Sequence, residues 1–469
     1  MKLHNTRTRQ IDEFKPLDGN RAYIYSCGPT VYDHVHIGNL SAFIYADMIL
    51  RAVSSAGLQT THGMNYTDVD DKTIRRSRER YPELEPMAAL TKLTNDYIAV
   101  FLEDMTLVGN DVDKLTFLRA TDPSVIEAMK QLITRLHAEG FAYIADDGVY
   151  FSIEAYRKSG KTYGQLLTLT KSNTSESRIQ NDEYDKESVH DFALWKKRKD
   201  DEPAWEFTLD GHGLTGRPGW HIECSIMSKA ILGQPFDIHT GGVDLIFPHH
   251  ENEIAQSTAG EADPVMSQFF THNEHMFIGG EKMSKSLKNF YTLADITQKG
   301  YDPLAFRVLV LQSHYRNQAH FTWENLEAAQ NRLRNYQNMA ALRWQPMVYD
   351  AEAPADGARP VDTCKLNTAL LNIATALQDD VDTPKALEIL SRVEAATTRH
   401  RVDENTHPEF VAFLEAVDAL LGLKLAEITD ITEAQKTLKN NHDAARVTKD
   451  WAASDDFRKQ LEEQGIGLK

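Results

Sequence analysis

Two of the three cysteines in this sequence are candidates for metal chemistry. Cys27 follows a short apolar run, and Cys224 closes the string Gly219-Trp220-His221-Ile222-Glu223-Cys224. A little further on, Phe247-Pro248-His249-His250-Glu251-Asn252-Glu253 carries a proline that suits the first turn of a helix. On that helix His249 and Glu253, four residues apart, share a face. Two thiolates, an imidazole and a carboxylate are donors that zinc accepts in tetrahedral sites. Core packing is the competing account, because free cysteine is among the most buried residue types.

Two further strings suit phosphate. His36-Ile37-Gly38-Asn39 stands just before a helical pattern. A glycine there allows close approach to the backbone, and a helix N-terminus offers unpaired N–H groups to an anion. The histidine can donate to phosphate oxygens, although a lone loop histidine is more often structural. Glu281-Lys282-Met283-Ser284-Lys285-Ser286 follows Gly279-Gly280. Its lysines could meet charge building on a departing pyrophosphate; a solvated lysine loop is the plainer account of that string taken alone.

These groups need elements to hold them. Residues 22–25 read as a strand, Ser26 to Pro29 as a turn, and the chain from Gly38 as a helix with Leu40, Ile44 and Met48 in one stripe. Strand, loop and helix in that order open a doubly wound α/β domain, which binds ligands at the carboxyl ends of its strands. Residues 111–204 read as an insertion, with a polar surface loop over 171–188. Strand-like runs return at 236–239 and 245–247. After Thr292 the pattern is helical, with Leu304, Val308 and Leu311 on one face and Leu366, Leu370 and Ile373 on another. The segment 345–361 holds three prolines and reads as a linker, and 434–469 is charged and helical.

Length and composition set outer limits. At ~150 residues per domain, 469 residues suggest about three domains. A hydrophobic share of 41% and a charged share of 26% fit a globular protein. No apolar run approaches the ~18 residues of a membrane helix, and the N-terminus lacks an apolar signal core, so a cytoplasmic protein without membrane association is expected. Three cysteines are too few for a disulfide framework, and Cys364, in a helical pattern, is expected to be structural. A net charge of −18 argues against a general nucleic-acid binder but leaves room for a local basic surface.

Taken together, these strings resemble the cysteinyl-tRNA synthetases, a class I family. The specific stretches are Cys27-Gly28-Pro29-Thr30-Val31-Tyr32-Asp33, Thr67-Asp68-Val69-Asp70-Asp71-Lys72, Gly216-Arg217-Pro218 running on to Cys224, Phe247 to Ser257, Lys282 to Ser286, and Ser313-His314-Tyr315-Arg316. The resemblance implies a Rossmann-type parallel-sheet catalytic domain in two halves (1–110 and 205–291) around a connective insertion (111–204). A stem-contact helical region (292–344), the linker (345–361) and a helical anticodon-binding-like domain (362–469) follow.

The resemblance further implies one zinc ion per chain on Cys27, Cys224, His249 and Glu253, binding the substrate thiol. It puts Gly28, Thr67, Trp220, His239 and Asp244 around the amino acid. It assigns His36, Asn39, Lys282 and Lys285 to ATP and to catalysis, with Mg2+ accompanying the nucleotide. The implied partners are L-cysteine, ATP and tRNA(Cys), with local basic groups at Arg332, Arg334, Arg343 and Lys196 to Lys199 meeting the RNA, and a monomer is expected. The chain departs from the commonest family pattern at Asn39, Ser41, Thr240 and Lys288. It ends at Lys469 without the tryptophan- and arginine-bearing tail of many relatives, so their usual anticodon contacts are not expected. Two rivals are a ligase joining cysteine to an amino sugar and a non-catalytic tRNA-binding paralogue. The full helical region after the linker weighs against the first, and the retained lysines and donor set against the second.

Overall fold

The computed structural model describes residues 1–167, 191–199, 202–262, 265–278, 281–282, 290–344, 359–397, 400–402, 405–464 and 466. The polar stretch 171–188 and most of the linker therefore lie outside the described residues. The chain forms two compact units. The first comprises Met1–Phe277, Lys282–Leu293 and Tyr315–Gln318; the second comprises Ile278–Glu281, Ala294–His314 and Ala319–Lys469.

The first unit is organised by a five-stranded parallel sheet in the order Ser267–Asn273, Phe236–Gly242, Arg21–Ser26, Gln59–Tyr66, Leu115–Arg119. Its inner strands are apolar on both faces: Ile24, Tyr25, Met64, Phe236 and Ile238 are all buried. That is the pattern of a parallel sheet covered on both sides by helices. Helix Ile37–Ser55 follows the first strand and buries Leu40, Ile44 and Met48, the stripe read from the sequence. The chain starts in the middle strand, moves outward to one side, then returns to build the other side. The direction reverses between Arg21–Ser26 and Phe236–Gly242, so a crevice opens at their carboxyl ends, beside Cys27 and Thr240.

An N-terminal hairpin, Lys2–Asn5 with Gln10–Glu13, is tied to the outer strand through Asn5 and Thr6. A separate antiparallel sheet in the order Gly216–Pro218, Asp191–Lys197, Gly148–Ser152, Ala142–Ala145 also belongs to the first unit.

Four sequence expectations change here. Leu115–Arg119, read as insertion, is the edge strand of the parallel sheet, and Gly216–Pro218, read as catalytic domain, pairs in the antiparallel sheet. Residues 245–247 form no strand: a 3-10 turn over Val243–Leu245 leads through a wide helical turn, Ile246–His250, into helix Glu251–Thr258. Three apolar residues cannot distinguish a strand from a buried turn. Cys364 is exposed, because it lies off the stripe of Leu366, Ala369 and Ile373 that faces the core of helix Thr363–Gln378.

The second unit is helical. Pro303–Leu311, Trp323–Ala340, Thr363–Gln378, Thr383–Thr397 and His407–Leu421 are its longer segments, followed by the pair Glu433–Val447 and Trp451–Glu463. Arg307 is fully buried there and its Nε donates to the Leu421 carbonyl at 2.6 Å, closing the end of one helix with the side chain of another.

Candidate metal centre and active site

The site begins where strand Arg21–Ser26 ends. The Cys27 amide donates to the Thr240 carbonyl across the reversal point at 3.2 Å. The Gly28 amide donates to Asn65 Oδ1 at 2.8 Å. A Cβ on Gly28 would lie 1.8 Å from the Asn65 carbonyl oxygen, so only glycine lets the turn sit this close to the neighbouring strand. The chain thus fixes Cys27 from both sides.

Cys224 comes from helix Trp220–Leu232, His249 from the turn before helix Glu251–Thr258, and Glu253 from that helix itself. His249 is therefore not on a helix begun by Pro248 as the sequence suggested. The turn still keeps it one helical step from Glu253, with His249 Nε2 2.9 Å from Glu253 Oε1. Cys27 Sγ lies 3.9 Å from Cys224 Sγ and 3.8 Å from Glu253 Oε1. One ligand atom from each of Cys27, Cys224, His249 and Glu253 falls within 4.8 Å of all the others.

Two thiolates on one tetrahedral zinc ion stand about 3.8 Å apart for a Zn–S bond of roughly 2.3 Å, so the donors fit the ion. A second set, Cys27, His239, His250 and Glu253, also lies within 4.8 Å. The first set suits zinc better because it joins both sulfurs. It also leaves His239 and His250 acting as outer hydrogen-bond partners of two ligands. His239 Nε2 is 2.9 Å from Glu253 Oε2, and His250 Nε2 is 3.4 Å from Cys27 Sγ. His249 Nδ1 is 3.0 Å from His221 Nδ1, so the ring's far nitrogen is also engaged. Metal-binding histidines and carboxylates regularly have such partners.

The electrostatics of the cluster are those of anions gathered in a dry place. Burial pushes the Cys27 thiol up. Its S–H donates to Cys224, which lowers the Cys224 thiol to about 6, so the pair holds one proton between them. Burial opposes the charge on Glu253, but His239 and His249 outweigh it and hold the carboxyl near 2. For His249 burial works downward, and the charges of Glu253 and Cys224 reverse it and raise the ring to about 10. Burial, aided by surrounding imidazoles, lowers His250, and lowers His272 to about 3; both are neutral.

Of the residues expected around an amino acid, Trp220 stacks on His249 with ring centroids 4.1 Å apart and planes 28° apart. Thr67 is buried, and its Oγ1 accepts from Asn65 Nδ2 at 3.1 Å. Gly28 and Thr67 thus share Asn65. His239 is fully buried against Glu253, and Asp244 is exposed in the turn after strand Phe236–Gly242.

Of the phosphate group, His36 caps helix Ile37–Ser55, its Nδ1 accepting from the Asn39 amide at 3.1 Å. A neutral ring used this way carries its proton on Nε2, which makes it a donor there. Asn39 is exposed in the first turn. Lys282 lies on the short strand Glu281–Lys282, and Lys285 lies outside the described residues.

His221, His250, His272 and Thr6 were not singled out in the sequence. The first two adjoin Trp220 and His249 and could have been found by asking what else those strings carry. His272 and Thr6 carry no local signal. Two of the arginines offered for RNA are structural: Arg343 is buried and donates to the Ala426 and Ile428 carbonyls, and Arg332 is bonded to Tyr336, Ser391 and the Leu387 carbonyl. Arg334 is exposed. Lys196 is paired with Asp71 at 3.5 Å.

The family model for the catalytic domain of "tRNA synthetases class I (C)" matches residues 13–331. The chain is 36% identical to the cysteine–tRNA ligase of Leptospira interrogans, over 99% of this chain and 96% of that one. It is 36% identical to that of Chlamydia muridarum over 99% and 97%, and 35% identical to that of Solibacter usitatus over 100% and 97%. In fold it is similar to a Mycobacterium tuberculosis methionyl-tRNA synthetase in complex with methionyl-adenylate (TM-score 0.58, 15% identity, covering 87% of this chain and 93% of that one). It is also similar to an Agrobacterium radiobacter LeuRS–tRNA–LeuAMS ternary complex (TM-score 0.60, 11% identity, 88% and 85%).

Proposed function

Since this chain belongs to the class I cysteinyl-tRNA synthetases, we propose that its four converging donors make the choice of cysteine depend on zinc. The enzyme is a cysteine–tRNA ligase. The observation that carries the zinc reading is the convergence of Cys27, Cys224, His249 and Glu253 within 4.8 Å at the carboxyl end of the parallel sheet. One zinc ion per chain would be held by these four and supplies a soft acceptor for the substrate's sulfur.

Around the amino acid, Gly28, Thr67, Trp220 and Asp244 would hold its other groups, and His239 would bound the site while bracing Glu253. His36 and Asn39 would hold phosphate oxygens of ATP, which brings Mg2+ with it. Lys282 and Lys285 would meet the charge on the leaving pyrophosphate. The cysteine carboxylate attacks the α-phosphate, giving cysteinyl-adenylate, and the terminal ribose of tRNA(Cys) then attacks the adenylate carbonyl. Positioning and charge stabilisation suffice for both steps.

Serine matches cysteine closely in shape, but a neutral hydroxyl is a far poorer zinc ligand than a thiolate. A site built to engage one polar group rejects analogues lacking it by roughly 10⁴–10⁵, so no separate editing site is required. In the rest of the chain, the antiparallel sheet would serve as the connective insertion, residues 292–344 as the stem-contact region and 362–469 as the anticodon-binding-like domain. Among the described residues no helix is long and apolar enough to cross a membrane, and a cytoplasmic monomer is the working assignment.

The relatives' coverage of 99% of this chain, helical region included, gives the amino-sugar ligase and the silent paralogue nothing in their favour. The test strips metal with a strong chelator and measures cysteine-dependent pyrophosphate exchange. Exchange should disappear and return with zinc. Undiminished exchange in verified metal-free enzyme would sink the zinc reading.

A further inference from the structure

We propose that Thr6 is a positioning residue for the metal-binding thiolate: through His272 and His250 it aims an imidazole N–H at Cys27 Sγ and so strengthens the grip on the ion. The inference rests on the reading of Cys27 as a zinc ligand.

Four side chains form an unbroken line. Thr6 Oγ1 is 2.7 Å from His272 Nδ1, His272 Nε2 is 2.7 Å from His250 Nδ1, and His250 Nε2 is 3.4 Å from Cys27 Sγ. Thr6, His272 and His250 are all buried. The hairpin holds Thr6 in place, since its amide donates to the Phe270 carbonyl at 2.7 Å and Asn5 beside it bonds to both Gln268 and Phe270. His272 lies on that same outer strand, Ser267–Asn273.

A neutral imidazole has one N–H and one lone pair, so the line admits two proton orders. In one, Thr6 O–H donates to His272 Nδ1, His272 Nε2–H to His250 Nδ1, and His250 Nε2–H to the sulfur. In the other every donor is reversed, and a lone pair of His250 faces Cys27. Against a metal-binding thiolate the first order gives a charge-assisted hydrogen bond and the second gives repulsion. The Thr6 hydroxyl completes the first order by supplying a proton where His272 presents a lone pair. Without it a buried acceptor is left unmade and the two rings lose their fixed end.

The test compares Thr6→Val, which keeps shape and removes the donor, with Thr6→Ser, which keeps the donor, by competition for zinc against a chromophoric chelator. The Val variant should hold zinc roughly tenfold more weakly, at the lower end for outer partners of metal ligands, and the Ser variant should match wild type. In zinc-loaded wild type, nitrogen NMR of the imidazoles should find His250 and His272 both protonated at Nε2. Equal zinc affinity in the Val and Ser variants, or a His250 protonated at Nδ1, overturns the proposal. Should the Val variant fail to fold, the wild-type tautomers still decide. A wild-type protein that binds no zinc, or a Cys27→Ser variant that binds it undiminished, would instead overturn the ligand assignment itself.

Discussion

Replacing Gly28 by alanine should disable the site while adding a single carbon. The new Cβ would lie 1.8 Å from the Asn65 carbonyl oxygen and 2.9 Å from Met64 Cγ, whereas real Cβ contacts essentially never fall below 3.0 Å. Turn and strand must therefore separate by at least about 1.2 Å at that point. The movement cannot be absorbed by a side chain, because the nearest obstacle is backbone in a central strand of the sheet. It falls on Cys27, whose Sγ must stay within a cluster 4.8 Å across. Sites tolerate about 0.5 Å of error, and a misplacement of about 1 Å typically costs about 10²-fold in rate. The expected loss in kcat/KM for cysteine-dependent pyrophosphate exchange is thus about 10²-fold, or about 2.7 kcal/mol, with zinc content below one per chain. Gly213→Ala is the control, since a Cβ there meets nothing within 4 Å, and it should match wild type. A Gly28→Ala enzyme with wild-type exchange and full zinc would refute the claim that this close approach fixes Cys27.

Other outcomes follow from the same geometry. His62 is buried on strand Gln59–Tyr66 beside Ser26, and burial lowers it to about 4, against a small upward pull from Asp47. Its folded pKa lies below the unfolded value of about 6.5, so the unfolded chain gains a proton first and stability falls as pH drops from about 6.5 to 4, by about 3 kcal/mol in all. A His62→Gln variant should lose about 2 kcal/mol less than wild type between pH 7 and pH 5, read from hydrogen exchange of amides in the parallel sheet; parallel pH curves for the two proteins would contradict this. Arg334→Ala should weaken tRNA binding and reduce its salt slope by about 1, while Arg343→Ala should leave that slope alone and lower stability by about 1–3 kcal/mol, since it strands two carbonyls; filter binding and thermal melting separate these effects. With zinc present, serine-dependent exchange should run roughly 10⁴-fold below cysteine-dependent exchange, and comparable rates would argue against selection through sulfur.

The sequence was most legible where the physics is local. The stripe of Leu40, Ile44 and Met48 marked a helix, and the turn after residues 22–25 marked a strand end, because period and turn chemistry are written within a few residues. His249 and Glu253 could be paired as candidate donors because they are close in sequence, whereas joining them to Cys27 and Cys224 rested on the resemblance to the synthetase family. What could not be read depends on contacts between distant positions. Thr6 and His272 are bonded across 266 residues. Leu115–Arg119 is too short to declare itself a sheet edge, and only pairing with Gln59–Tyr66 makes it one. Arg343 reads as a surface cation until the carbonyls of Ala426 and Ile428 are brought to it.

The ring of histidines around the donors has a reason in charge. With zinc held as proposed, two thiolates and a carboxylate would bring three negative charges to a dication, and a substrate thiolate would add a fourth in a place where Cys224 and Glu253 are out of water. Unbalanced charge in such surroundings is expensive. Lysine or arginine could neutralise it but would also repel the ion. Neutral imidazoles such as His250 and His272 spread charge through hydrogen bonds without adding a cation, and the rings of His239, His250 and His272 pack with centroids 4.2–4.9 Å apart. So many rings could not all be charged at that spacing, and burial keeps His250 and His272 neutral. The same crowding that disfavours protonation would thus leave His250 neutral beside Cys27, able to donate to the sulfur and keep the excess negative charge on the proposed ligands tolerable to an incoming thiolate.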